Sequence, residues 1–423
     1  MYEFFVLLLY ELIEVVSLFT KLETEKIFRD PLYGYIRVEY KIISELIDSR
    51  EVQRLRRIRQ LSGVSMVFHL AEHSRFTHSS GTYELARRVS ERVTDVKNLF
   101  SSREVIILLC SALLHDLGHG PYSHCFEHVF GVNHEKMTTM IILGDTEVHH
   151  ILDKYDHELA SDVAGIIAHE GKYPLIESLI SSQLDCDRMD YLKRDSYFTG
   201  AFYGDIDVEK LLRSMRIIDG KIVYKTSAIN TIEDYLVGRY HMYWSVYYHP
   251  TARSYEIMLE KIYLRIQELI EQDFVFPIDI SILKRIKNMD VSDYLMLDDT
   301  YINGVIQRLQ YSSDEILSDL CTSFMNRHIF SYVDYEHDGD KVNQIKEYFE
   351  EHNDEKKYYY KVDEVKQIIY QYALYQPMSS EINMLKPNGE IVPVSSYSLI
   401  VKGLTLDSKK SDVKVFYKGE LYV

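Results

Sequence analysis

From Glu45 to about Glu271 the apolar residues recur at three- and four-residue spacing through long stretches without proline. An amphipathic α-helix needs that period to bury one face, so the sequence predicts a mainly α body. Asp219-Gly220, set between Ile217-Ile218 and Ile222-Val223, is a two-residue turn signal that predicts a small β-hairpin inserted in the bundle. After Pro277 the texture changes to acidic, tyrosine-rich helical segments running to about Tyr375, followed by turn signals at Asn388-Gly389 and Lys418-Gly419. Alternation from Val413 to Val423 reads as a terminal hairpin. The expected organisation is an N-terminal extension (1–25), a helical core (26–275) and an α+β C-terminal region (276–423) that contributes to assembly. Glu3, Glu11 and Glu14 interrupt the apolar residues 1–20, which therefore read as an amphipathic packing helix rather than a signal or membrane segment.

Charge limits the partners. With 48 basic against 65 acidic side chains, a net of −17, the chain cannot coat nucleic acid or an anionic membrane through its overall field. An anionic ligand must meet a local basic pocket. The densest basic stretch is Arg50, Arg54, Arg56, Arg57 and Arg59, in which Arg50, Arg54 and Arg57 would share a solvated helical face. Four cysteines far apart, with no CxxC pair, point to a reducing, cytoplasmic location.

Six of the 17 histidines, His78, His115, His119, His124, His128 and His134, crowd into residues 78–134 together with Asp116. Imidazole and carboxylate together suit a divalent cation, with the carboxylate offsetting its charge. The pair His115-Asp116 closes the buried-type run Val105–Leu114 just before Gly118 and Gly120-Pro121. A second pair, His337-Asp338, lies in a polar stretch and reads as a surface loop. Further ligands must come from Arg75–His78 upstream and from the acidic run Asp185–Tyr191 downstream. In a helix Asp187, Tyr191 and Arg194 share one face, and Arg188, Tyr191 and Asp195 an adjoining one. The expected surface puts a metal-binding carboxylate beside phosphate-binding cations.

His78, His115-Asp116 and Asp187, in the strings RFTHS, LLHDLGHGPYSH and LDCDRMDYLKRDS, resemble the HD-domain deoxynucleoside triphosphate triphosphohydrolases. That family includes bacterial dNTPases and the vertebrate restriction factor that joins a SAM domain to an HD domain. The likeness runs from about Lys26 to Glu260 and implies an HD-domain helical bundle for the core. It implies metal ligands at His78, His115, Asp116 and Asp187, holding Mg²⁺ or Mn²⁺, with Fe²⁺ and Zn²⁺ able to fit the same mixed set. Catalytic positions fall on His119, His124, Glu127 and His134, with His124 paired to Glu127 where the vertebrate relative has Asp. Triphosphate contacts fall on Arg75, Arg188, which replaces a lysine, and Arg239, with Tyr191 beside them. Gln60, Leu61 and Tyr247 would pack on the deoxyribose, with Asp195 near the 3′-hydroxyl, although Tyr247 with Tyr240, Tyr243 and Tyr248 also reads as a core-packing face. Lys26, Ile27, Asp48, Gln53 and Arg56 resemble a regulatory site that holds a guanine nucleotide between subunits of a homo-oligomer, a tetramer or dimer of dimers. The implied reaction converts a dNTP and water to deoxynucleoside and inorganic triphosphate, with neither a membrane nor nucleic acid as partner. Two rivals remain. One is a different HD phosphohydrolase acting on nucleoside monophosphates or cyclic nucleotides, with a second metal and His169 or another histidine as added ligand. The other is a nucleotide-gated assembly scaffold without turnover, binding single strands along Arg50–Arg59.

Overall fold

The computed structural model describes residues 18–286, 289–368, 381–405 and 409–419. The reading of residues 1–20 as a packing helix thus falls, but for its last three residues, outside the described residues. The protein is mainly α, with three small sheets among the described residues. An antiparallel hairpin, Lys21–Asp30 with Gly34–Tyr40, precedes two short helices, Lys41–Asp48 and Arg50–Arg54. Helix Arg75–Arg92 then forms the hub, packing on Ser102–Leu114 on one side and Cys186–Thr199 on the other.

Local chemistry explains these elements. Helix Ser102–Leu114 opens on a capping box between Ser101 and Glu104, and every residue from Ile106 to Leu114 is buried. A helix apolar on all sides belongs in the centre of a core, and this one carries His115 at its C-terminal end as a fixed support. The turn beyond it cannot carry a larger residue at Gly118, where a Cβ would lie 2.0 Å from the His134 carbonyl oxygen and 2.3 Å from the Thr138 nitrogen.

The hairpin at Asp219-Gly220 forms as expected: Met215–Ile218 pairs antiparallel with Lys221–Lys225, and φ is positive at both turn residues. Its outer edge recruits Asn383–Leu385 in parallel and then Ile391–Pro393, across the Asn388-Gly389 turn. The terminal alternation is partly corrected. Strand Lys409–Tyr417 is the centre of a three-stranded sheet, flanked by Ser331–Asp334 and Tyr360–Ile368, and the second arm of the expected hairpin lies mostly outside the described residues. Both partners are distant in sequence, and periodicity reports only the strand.

The basic stretch is also corrected. The helix stops at Arg54 and Leu55–Arg57 is a 3₁₀ turn, so no common face forms. Arg54 is 1% exposed and donates to the carbonyls of Leu297 and Leu117. Arg57 pairs with Asp298, Arg59 with Glu72 and Arg50 with Glu51. The surface expected to take nucleic acid in the scaffold reading is therefore largely spoken for. One contiguous hydrophobic core includes residues from Leu18 to Tyr417. All four cysteines are free. Among the described residues no helix is long and apolar enough to cross a membrane.

Candidate active site

Three helices converge on one corner: Arg75–Arg92 brings His78, the end of Ser102–Leu114 brings His115 and Asp116, and Cys186–Thr199 brings Asp187. The Nε2 atoms of His78 and His115 are 3.2 Å apart. Asp187 Oδ1 lies 2.9 Å from the first and 3.6 Å from the second. Asp116 stands beside this group of three, its Oδ1 3.4 Å from His115 Nε2 and its Oδ2, held by Arg75, 3.6 Å from His78 Nε2. Two ligands each about 2.1 Å from one ion, at right angles, stand about 3 Å apart, so the donor set fits a divalent cation. The outer nitrogens are fixed as a metal ligand requires: His78 Nδ1 bonds Asp190 at 2.8 Å, and His115 Nδ1 bonds the Ala112 carbonyl at 3.0 Å. Asp190 is in turn gripped by Arg194 and by the Tyr33 hydroxyl.

The corner is electrostatically tuned. Burial opposes charge on His78, but Asp187 and Asp190 outweigh it and raise its pKa to about 10. Burial also opposes charge on His115, and Asp116 and Asp187 again raise its pKa. Despite burial, the surrounding cations hold Asp116 and Asp187 below the usual carboxylate range, His115 and Arg75 acting on Asp116 and His115 and His78 on Asp187. Next to the corner, His119 and His134 stack with ring centroids 4.0 Å apart. Burial, then the Arg75 charge, pushes His119 well below 6.5. His134 goes the other way: burial opposes its charge, but Glu127 Oε1, 2.5 Å from Nδ1, outweighs it and raises its pKa. Helix His124–Phe130 carries His124, whose side chain lies outside the described residues, as does its expected pairing with Glu127.

A cavity of about 610 Å³ opens on this corner. Its lining brings His78, Asp116, Asp187 and His119 together with the expected sugar-packing residues Gln60, Leu61, Asp195 and Tyr247. Asp195 receives the Tyr247 hydroxyl at 2.7 Å and contacts His73 Nε2 at 2.8 Å. Arg75 lines the cavity too, donating to Asp116 at 2.5 Å and to Ser123 at 2.9 Å. Arg188 and Arg239 do not line it. Arg188 donates to the Ser182 carbonyl and Arg239 to Gln183, while Tyr191, which lines the cavity, stands close enough to both for their charges to act on its hydroxyl.

Residues 75–195 match the HD domain and residues 206–418 match the HD associated region. The chain belongs to the HD phosphohydrolase family. An uncharacterized protein of Bacillus subtilis, YwfO, is 42% identical over 95% of this chain and 94% of its own length. The deoxynucleoside triphosphate triphosphohydrolase SAMHD1 homolog of Dictyostelium discoideum is 27% identical over 74% of this chain and 60% of its own length. Among solved structures, a phosphohydrolase from Bacteroides thetaiotaomicron superposes with a TM-score of 0.80 at 27% identity, covering 93% of this chain and 100% of that one.

Several residues that shape the HD corner escaped sequence reading. Asp190 sits one turn after Asp187, a spacing that could have marked it as the partner of a ligand. Arg194, expected on a ligand-facing surface, is fully buried and clamps Asp190 and Asp30 instead. His73, stacked on Phe198, carries no motif. None of the five expected regulatory residues lines the cavity. Lys26 bonds Asp48 at 2.7 Å, Gln53 donates to the Ile47 carbonyl, Arg56 donates to Gln53 at 2.8 Å, and Ile27 is exposed.

Proposed function

We propose that the protein is a metal-dependent dNTP triphosphohydrolase, converting a dNTP and water to deoxynucleoside and inorganic triphosphate. The observation that carries this reading is a single cavity with a metal-ligating corner in one wall and the Gln60, Leu61, Asp195 and Tyr247 packing surface in another. The triphosphohydrolase name of the Dictyostelium relative supports it. His78, His115, Asp116 and Asp187 would hold a divalent ion, which would supply Lewis acidity and lower the pKa of water. Water adds to the α-phosphorus, the bond to O5′ breaks, and O5′ takes a proton. His134, whose charged form Glu127 favours, gives that proton, and neutral His119, beside the α-phosphate, takes the proton that the attacking water gives up. His124 assists in the same stretch. Arg75 meets the phosphates where it stands, and Arg188 and Arg239 reach them by rotating past Tyr191. Tyr247, held by Asp195, closes the sugar's C2′ side and excludes a 2′-hydroxyl. Lys26, Ile27, Asp48, Gln53 and Arg56 take a guanine nucleotide between subunits of a homo-oligomer, with Asp48 on the guanine edge and Lys26 and Arg56 on phosphate. Such binding promotes activity only if the nucleotide prefers the assembled state.

The test is chromatography of each dNTP after incubation with Mg²⁺ or Mn²⁺, with and without dGTP. Triphosphate release is expected, and it should vanish together with metal binding in His115→Ala and Asp116→Ala. Monophosphate plus pyrophosphate, or full activity in those variants, overturns the reading. One observation favours a second one: His119, Glu127 and His134 also bring one ligand atom each within 4.8 Å of one another. Two bound metals with turnover of a monophosphate or cyclic nucleotide would point to that other HD chemistry. His169, exposed in the loop after helix Leu159–Ile167, is in neither donor group.

A further inference from the structure

Tyr122 and Ser123 are consecutive non-glycine residues with positive φ, 56° and 48°, directly beside the HD corner. Each such residue costs about 1–3 kcal/mol and persists only where its surroundings over-determine it. What holds this turn comes from the far end of the chain. Asp299, buried at the start of helix Asp299–Leu309, accepts the Tyr122 amide on Oδ1 at 2.8 Å. Its other oxygen accepts the Arg59 amide at 2.9 Å. The Tyr122 hydroxyl donates to Asn303 one turn further on, at 2.5 Å. Neighbours in the same segment tie down the rest of the corner: Tyr294 donates to the Gly118 carbonyl at 2.6 Å, and Leu297 accepts from Arg54, which also holds Leu117.

The two loops that Asp299 joins both reach the cavity. Arg59 precedes Gln60 and Leu61. Ser123 accepts from Arg75 Nε, and the same guanidinium holds Asp116 through Nη1. A carboxylate has two acceptor arms and no donor, so it alone among side chains of this size satisfies both amides at once. An amide would turn one arm into an N–H facing an N–H.

We propose that Asp299 is a positioning residue: by accepting the Arg59 and Tyr122 amides together it sets the left-handed Tyr122-Ser123 turn, and through Ser123 it sets Arg75 against Asp116. The proposal rests on reading Arg75 and Asp116 as part of the phosphate and metal site. Asp299 touches neither substrate nor ion: its Tyr122 arm bears on turnover through Arg75, and its Arg59 arm supports the loop that carries Gln60 and Leu61.

The experiment compares crystal structures and kinetics of the wild type, Asp299→Asn and Ser123→Gly, in the full chain with Mn²⁺. Ser123→Gly deletes the hydroxyl at a position where glycine tolerates the backbone, so it folds even if Asp299→Asn does not. The expected result is a broken Arg75–Asp116 contact in each variant that folds, with kcat for dNTP hydrolysis lowered about 10- to 100-fold; KM should change far less in Ser123→Gly, which leaves the Arg59 arm in place, than in Asp299→Asn. The double variant should be no slower than the worse single one, because both cut the same relay. An intact Arg75–Asp116 contact, or kcat within twofold of wild type in the variants that fold, overturns the proposal. If the wild type itself releases no triphosphate, the proposed activity falls while the broken contact still upholds the positioning role.

Discussion

His119 and His134 stack face to face, yet their surroundings drive their proton affinities apart. Burial and Arg75 favour neutral His119, whereas Glu127, against the effect of burial, favours charged His134. A pair separated in this way is how one site holds an acceptor and a donor at the same pH. His134 carries its proton below its raised pKa and loses it as pH climbs through that value, so in the proposed reaction it should set the alkaline limb of kcat/KM. Glu127→Gln removes the group that raises it, and the alkaline limb should move to lower pH. His134→Gln should lower kcat by about 10²–10⁴-fold. An alkaline limb left in place by Glu127→Gln would assign it to another group. The metal corner makes a second pH statement. His78, raised to about 10, must give up its proton to bind a cation, and His115 must do so below its own raised value. Apparent Mn²⁺ affinity should therefore rise at least about tenfold per pH unit between about pH 6 and 8, with proton release visible by calorimetry in buffers of different ionisation enthalpy. A flat affinity over that range would mean that the ion binds elsewhere. The His115-Asp116 pair was legible because a buried-type helix leads into it. Asp190 was not, because a carboxylate that orients a ligand looks in sequence like any other acid one turn away.

At the scale of elements, helix Arg75–Arg92 and helix Cys186–Thr199 approach so closely that Gly81 has no room for a methyl group. A Cβ there would lie 1.9 Å from Asp190 Oδ1 and 2.4 Å from Arg194 Nη2. Gly81→Ala should cost about 1–3 kcal/mol of stability through overpacking. By displacing Asp190 from His78, it should also weaken Mn²⁺ binding about 10- to 100-fold. Gly304, inside helix Asp299–Leu309, has nothing within 4 Å of its Cβ position. Gly304→Ala should accordingly stabilise the protein by about 0.5–1 kcal/mol. Thermal melts of the two variants must move in opposite directions. The same scale marks the limit of sequence reading. The Asp219-Gly220 hairpin is written in adjacent residues, but its parallel partner Asn383–Leu385 is a non-local choice that leaves no local trace. The basic stretch misled for a related reason: the spacing of Arg50, Arg54 and Arg57 implies a shared solvated face only if the helix continues to Arg57, but it ends at Arg54, which is itself buried.

For the molecule as a whole, the change of texture near Pro277 does not mark an independent body. Tyr255 stacks on Phe324 with ring centroids 4.0 Å apart, Arg253 grips Asp363 and Asp412, and Lys261 donates to the Lys357 carbonyl. Lys361 and Asp363, on strand Tyr360–Ile368, line the same cavity as the HD corner. Helix Pro250–Glu271 thus buries one side against residues 315–359, and the loop bearing Tyr122 is tied to Asp299 and Asn303. Removing residues 276–423 would expose that apolar side, strip Arg253 of Asp363 and Asp412, and leave Arg54 only the Leu117 carbonyl, each a cost of the kind that unfolds a protein. A fragment ending at residue 275 should show no cooperative melt and no Mn²⁺ binding. The full chain should lose its near-UV and far-UV circular dichroism in one coincident transition, raised in temperature by Mn²⁺ and lowered by a chelator. A folded, metal-binding fragment would show instead that the catalytic half carries its own stability and that the C-terminal half serves only assembly.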